Sequence, residues 1–282
     1  ETGNSLIMGF TRRYEAPWNR AHALLKQGVI GDLVMMQIRV IIPYPVYFQR
    51  WYRRREWGGG GLMDKGSHLC DVFNWFAESE PSRVSAFGGQ AVYRPEEDGP
   101  ERCLECGRTC PYRAVASDPT EQKDQIGALN DPSWLQETEE RYRPDNCVYL
   151  PGADTPDHAT VQFRYSNGIL ASLFFAIFGP AAEDQETFEL VGSKGRIILT
   201  RHSGMLDVVS DYGKQHETID SRNADFESSH FGADLELVRE MRRFVDGIPP
   251  LVSACDGLKA ARMIDGIYRS LDEGRIVDMS EI

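Results

Sequence analysis

Positive charge is in short supply in this sequence: 31 Lys and Arg stand against 43 Asp and Glu, a formal net charge of −12 over 282 residues. That balance argues against a nucleic-acid-binding or anionic-membrane surface, which needs clustered cations. Long apolar runs are missing too. The most apolar stretch, residues 168–178, is about half of the ~20 residues that a membrane span requires. No basic segment leads into an apolar core near residue 1, so no targeting peptide is expected, and the reading is a cytoplasmic protein. Nucleotide loops are absent as well: the glycine run Gly58–Gly61 continues as Leu62-Met63-Asp64 and fits neither GxGxxG nor GxxxxGK(S/T). What remains, with 41% hydrophobic and 26% charged residues, is an ordinary globular composition, long enough for one large domain or two.

Apolar periodicity divides the chain into elements. Residues 5–10 read as a short strand with no partner upstream, and Trp18 to Lys26 as a helix stopped by Gly28. Val34, Met36, Ile38, Val40 and Ile42 alternate with Met35, Gln37, Arg39 and Ile41, which predicts a strand with one fully apolar face. Beyond the glycine run, Leu69, Val72, Phe73 and Phe76 form the i, i+3, i+4, i+7 stripe of a helix over about 64–77. Residues 83–93 predict another strand. Two hairpins follow, 159–165 with 169–178 across the Asn167-Gly168 turn and 187–191 with 196–200, then one more strand at 205–209. Helices at 234–245, with Leu237, Val238, Met241, Phe244 and Val245 inward, and at 254–271, N-capped by Ser253, close the chain. The expected fold class is α+β, a largely antiparallel, open-faced sheet with helices on one face.

Residues 94–151 interrupt this pattern. They are rich in Pro, Glu, Asp and Arg and hold four of the six cysteines, so they read as a Cys-rich insertion with its own staple. Cys103, Cys106, Cys110 and Cys147 have the count and the short first spacing of a structural zinc site, and four thiolates on zinc would order a loop too polar to build a core. Disulfides in an exported protein and reduced free thiols are the alternatives. His158 is a spare candidate ligand.

The chemistry-bearing candidates lie just after the glycine run. Asp64 and His68 are spaced i, i+4, with Asp71 at i+7, so all three are expected on the helix face opposite the apolar stripe. A carboxylate beside an imidazole raises its pKa and fixes its tautomer, as a general base acting on an alcohol requires. The bland alternative is that Asp64 merely favours the helix N-terminus and His68 is a satisfied, half-buried histidine.

Three segments taken in order carry a resemblance: Gly9-Phe10-Thr11-Arg12-Arg13-Tyr14, Gly28-Val29-Ile30-Gly31-Asp32-Leu33, and Gly58 through Asp71. Together with Gly192-Ser193-Lys194-Gly195 and Asp256-Gly257-Leu258, they resemble successive motifs of the glucose-fructose oxidoreductase / inositol dehydrogenase (Gfo/Idh/MocA) family. The resemblance implies an N-terminal Rossmann domain for NAD or NADP joined to a C-terminal α+β domain, in an enzyme that transfers a hydride to or from a sugar or polyol carbon. Residues 1–11 would then be the remnant of the last Rossmann strand, and 12–282 the substrate-binding and oligomerisation domain. Asp64 and His68 match the family's Asp-x-x-x-His pair, at which the substrate hydroxyl is bound and deprotonated; Lys65, between them, would bind substrate or face elsewhere, and Arg12 and Arg13, matching the basic pair after the last Rossmann strand, would be structural or line the substrate cleft. The family's Glu-Lys-Pro motif is missing. A different class of reading is a non-catalytic, zinc-stabilised binding or assembly module derived from the same fold.

Family members commonly pair through the open face of this sheet. The strand at 169–178 fits that habit, because Leu170, Phe174, Ala176 and Phe178 make its second face apolar as well. A homodimer or a homotetramer built from dimers is therefore expected.

Overall fold

The computed structural model describes residues 6–113 and 139–282. Among them, nine strands form one sheet: β1 (Leu33–Ile41), β2 (Pro81–Gly89), β3 (His158–Tyr165), β4 (Leu170–Ala176), β5 (Glu186–Gly192), β6 (Arg196–Thr200), β7 (Met205–Ser210), β8 (Gln215–Asp220) and β9 (Val277–Asp278). Their order is β8-β7-β6-β5-β1-β4-β3-β2-β9. Each neighbouring pair is antiparallel except β1 with β4, so the sheet is mixed but mostly antiparallel, as expected. The edge strand β8 was not legible as a strand. Its residues are nearly all exposed, so no apolar alternation marks it, and its polar side chains suit an unprotected sheet edge.

Among the described residues six α-helices accompany the sheet: α1 (Ala16–Lys26), the short α2 (Val46–Gln49) and α3 (Arg55–Gly58), α4 (Ser67–Ala77), α5 (Ala233–Val245) and α6 (Ala254–Glu273). The helix α6 packs on β2, α4 on α6 and β1, and α1 on β6 and β7, all against one face. Into that layer point Met36, Ile38 and Val40 of β1, Ala171, Leu173 and Phe175 of β4, and Phe188 and Leu190 of β5. The helical stripe Leu69, Val72, Phe73 and Phe76 meets them, with Phe73 and Phe76 both edge-on to Phe188. Ser253 caps α6 as expected, through a reciprocal pair of hydrogen bonds with Asp256.

Several expectations need correction. Within residues 6–10 there is no strand, only the isolated bridge Ile7 to Ser253 and a bond from Met8 N–H to the Val252 carbonyl; residues 1–5 lie outside the described residues. The second strand ends at Gly89 rather than Tyr93, because the chain turns so that the Asp157 carboxylate can accept the N–H groups of Ala91, Val92 and Tyr93. The helix α5 lies against the turn at 11–14, not across the sheet, so it buries Glu240 while Val238, Met241 and Val245 stay exposed. On the second face of β4, Leu170 and Phe174 are open, each 43% exposed, but Ala176 is buried and Phe178 is partly covered by the rings of Tyr93 and His158.

The segment 94–151, expected as an insertion, is tied to the rest of the chain near its two ends, while 114–138 lies outside the described residues. Residues 101–103 run against 145–147 through backbone bonds and the Arg102–Asp145 ion pair, and Glu140 receives both Arg53 and Arg54. None of its four cysteines is in a disulfide among the described residues, and all four line one cavity of about 200 Å³. Among the described residues no three His, Cys, Asp or Glu side chains gather in a way that could hold a metal ion, so the zinc site expected at Cys103, Cys106, Cys110 and Cys147 is not formed. The described parts of the loop are held instead by arginine–carboxylate pairs.

Candidate active site

The glycine run sets the position of everything that follows it. Gly59 and Gly60 both have φ of +76°, in the left-handed region. A Cβ on Gly60 would stand 2.4 Å from the Tyr268 hydroxyl and 2.8 Å from Thr155 Oγ1, so it is α6 and the 155 loop that approach this backbone. The Gly61 N–H donates to Thr155 Oγ1 at 3.0 Å and the Tyr268 hydroxyl to the Gly59 carbonyl at 2.7 Å. The chain then enters a π-helical turn, Leu62–Gly66, before α4 begins. Such single wide turns are rare and recur at functional sites.

That turn separates the residues the spacing had paired. Asp64 points outward, where its Oδ2 accepts the Tyr47 hydroxyl at 2.6 Å. His68 points inward, edge-on to Phe10, and no hydrogen bond joins it to Asp64. The regular i, i+4 geometry assumed from the sequence does not hold across a π turn. The third member, Asp71, is buried and takes a bidentate bond from Arg13, at 2.9 and 2.7 Å.

Lys65 and His68 instead border a buried cluster of charges. Arg201 grips Glu15 with two bonds, 2.8 and 2.6 Å, and reaches Glu186 at 3.2 Å. Arg12 donates from Nε to the other oxygen of Glu186 at 2.6 Å, and the Trp18 indole supports Glu15 at 3.1 Å. Lys65 Nζ stands 3.6 Å from Glu186 and 5.6 Å from the centroid of the Tyr44 ring. The turn at Thr11–Tyr14 is a 3₁₀ turn, in which consecutive side chains diverge by about a third of a turn. Arg12 therefore enters this cluster while Arg13 enters the Asp71 pair.

The electrostatics reverse one expectation. Burial, with the cations Arg12, Lys65 and Arg201 nearby, holds the His68 imidazole well below its ordinary 6.5, so it is neutral rather than raised by a carboxylate. Its Nδ1 is buried without a hydrogen-bond partner. Burial pushes the Lys65 ammonium down to about 7, with Glu186 opposing and Arg12 and Arg201 assisting. Burial alone would raise the Glu186 carboxyl, but Arg12, Arg201 and Lys65 outweigh it and hold the group well below 4.5. Glu15, Glu186 and Arg201 were not among the sequence candidates. A signal existed, since Glu186 shares the buried phase of Phe188 and Leu190, and Arg201 that of Ile197 and Leu199.

Residues 22–279 match a family described as "Oxidoreductase family, C-terminal alpha/beta domain", that of Gfo/Idh/MocA. The chain is 25% identical to YteT of Bacillus subtilis (strain 168), a protein named as an oxidoreductase, over 98% of its own length and 70% of that protein's. Among solved structures, aldose-aldose oxidoreductase from Caulobacter crescentus, complexed with glycerol, superposes with a TM-score of 0.63 at 18% identity, covering 98% of this chain and 64% of that one. A levoglucosan dehydrogenase in complex with NADH and levoglucosan gives 0.67 at 16% identity, covering 97% and 66%. The chain thus spans roughly two thirds of the length of these solved relatives, which share its fold.

Proposed function

The chain belongs to the Gfo/Idh/MocA oxidoreductase family, and on that premise we propose that it is the substrate-binding portion of a nicotinamide-dependent dehydrogenase acting on a sugar or polyol hydroxyl. The observation that carries this reading is the π turn, which brings His68, neutral and with its Nδ1 unpartnered, to the edge of a buried cationic cluster that includes Lys65, while Asp64 faces outward. A neutral imidazole can accept the hydrogen bond of a substrate hydroxyl, and the neighbouring cations favour the alkoxide character that develops as its proton leaves. Asp64, hydrogen-bonded to Tyr47, is the outer carboxylate available to a second hydroxyl. The ligands of the solved neighbours, glycerol and levoglucosan, are of this chemical class.

A bound nicotinamide dinucleotide would supply the hydride acceptor. The described residues do not fit its pyrophosphate, because the glycine run is already packed on Thr155 and Tyr268. In this reading the cradle belongs to a Rossmann domain of the whole protein, and the exposed stripe of Leu235, Val238, Met241 and Val245 on α5 packs against it. The open sheet face, with Met35, Phe87, Leu170 and Phe174 exposed, is where a second copy docks to give the homodimer or a homotetramer. The non-catalytic assembly-module reading loses its main support with the zinc geometry.

In the full-length protein, His68→Ala and Asp64→Asn should each depress turnover of polyols by at least about 10²-fold with an unchanged circular dichroism spectrum. Near-wild-type turnover in both would sink the assignment.

A further inference from the structure

Four thiols on the wall of one cavity concentrate a chemistry that the dehydrogenase reading does not use. The backbone sorts them. Cys103 opens a 3₁₀ turn, Cys103–Glu105, and the Cys106 N–H closes it on the Cys103 carbonyl at 3.3 Å. A hydrogen-bonded turn of this kind holds the Cα atoms of residues i and i+3 within about 7 Å, and in a 3₁₀ turn the side chains at i and i+3 lie on the same side. A disulfide needs Cα atoms roughly 4.4–6.8 Å apart. Cys103 and Cys106 are thus placed for one, although no disulfide joins them. The other two thiols reach the cavity from elsewhere, Cys110 from a later turn closed by the Arg113 N–H and Cys147 from the segment that runs against 101–103.

The paired thiols differ in access. Cys103 is buried, 7% exposed, and its N–H is bonded to the Asp145 carbonyl at 2.8 Å, which fixes it in place. Cys106 is partly exposed. Its Sγ accepts the Arg108 N–H at 3.5 Å and its carbonyl takes Arg113 Nη1 at 2.7 Å; Arg113 and Arg108, which also holds Glu96, line the same cavity. A part-exposed sulfur with an N–H donor and cations beside it is the setting in which a thiolate forms and reacts. Cys147, by contrast, is buried, and burial pushes its thiol up.

We propose that Cys103 and Cys106 are a redox-active dithiol, with Cys106 the attacking sulfur, oxidised to a disulfide by a small-molecule disulfide of the glutathione type. The Cys106 thiolate attacks one sulfur of that reagent, whose S–S bond breaks, and one half leaves as a thiolate and takes up the proton that Cys106 lost. The Cys103 thiolate then attacks the sulfur of Cys106 in the mixed disulfide, and the second half leaves and takes up the proton that Cys103 lost. The two cysteines have given up two electrons and two protons, and the reagent has become two thiols. The step needs neither a nicotinamide cofactor nor a sugar.

The test equilibrates the full-length protein with oxidised and reduced glutathione in graded ratios, quenches with acid, alkylates, and reads each cysteine by mass spectrometry. Trypsin cuts after Arg102 and Arg108, so both sulfurs fall in one peptide, 103–108. That peptide should lose two hydrogens as the oxidised form is raised, while Cys70, Cys110 and Cys147 stay alkylated. Cys103→Ser should stop at one glutathione on Cys106. Cys106→Ser, a change at a partly exposed position, should leave Cys103 unmodified, and it keeps the test decisive if the buried Cys103→Ser variant does not fold. Both sulfurs alkylated at every ratio, a bond from Cys106 to Cys110 or Cys147 in place of Cys103, or glutathione on Cys103 in Cys106→Ser would each overturn the proposal. So would a metal ion that copurifies with the protein and shields all four thiols. None of these outcomes touches the dehydrogenase reading, which is tested by turnover.

Discussion

Arg12 and Arg13 are neighbours in the chain and enter two different kinds of buried charge. Arg13 joins Asp71 by a bidentate pair, with Asp256 at 3.4 Å as a second, partly exposed acceptor. Burial pushes the Arg13 guanidinium down, but the bonds and charge of Asp71 outweigh it and hold the group above its ordinary value. There the cation is outnumbered by carboxylates and every charged group has a close partner. Arg12 enters the cluster of Glu186, Arg201, Glu15 and Lys65, where cations exceed carboxylates and one amine has no hydrogen bond. The first arrangement fixes the start of the domain to α4 and the cap of α6. The second leaves one amine, Lys65, that burial lowers to about 7.

The largest effect that tests this contrast is on folding. Arg201→Met strands Glu15, a carboxylate with no other cation bonded to it, and should cost about 3–5 kcal/mol by urea denaturation. Arg13→Met leaves Asp71 but spares Asp256, which keeps its bonds to Ser253, so about 2–3 kcal/mol is expected. A larger loss at Arg13 than at Arg201 would reverse the ranking of the two regions.

Acid sharpens the same comparison. Glu186 has a folded-state pKa depressed below its ordinary 4.5, so its stabilising contribution is present above that value and is lost as pH falls toward the folded pKa. As pH falls below about 4.5, stability should drop by up to about 1.4 kcal/mol per pH unit from this group. Glu186→Gln should flatten that slope; an equally steep acid limb in the variant would move its origin elsewhere.

The smallest cost belongs to a charge placed where water already reaches. At Phe174, 43% exposed on the open face, substitution by Glu should change monomer stability by less than about 0.5 kcal/mol. The same Phe174→Glu change should shift the sedimentation coefficient from dimer toward monomer. A well-folded wild-type monomer at micromolar concentration would remove the proposed interface.

Much of the fold was legible because burial leaves a period in the chain. The alternation in β1 placed Met36, Ile38 and Val40 inward, and the stripe at Leu69, Val72, Phe73 and Phe76 marked α4. Where one period had no consequence the reading failed: β8 buries neither face, and α5 shows an amphipathic pattern whose apolar side is only partly covered. The candidate residues Asp64, Lys65 and His68 stood out in the sequence as a motif, but their geometry did not: a single π turn sends the carboxylate to Tyr47 and the imidazole to the cationic cluster.

The sequence by itself determined which positions are buried, including two that carry charge, Glu186 in phase with Phe188 and Arg201 in phase with Leu199. Only the tertiary structure decided which charges meet. Arg12 reaches Glu186 across 174 residues and Arg201 reaches Glu15 across 186. Periodicity is a local property, fixed by 2 or 3.6 residues per turn of the backbone, whereas an ion pair depends on how separate strands and turns are brought side by side. The charge imbalance around Lys65 arises only when those distant partners are counted together in one low-dielectric space.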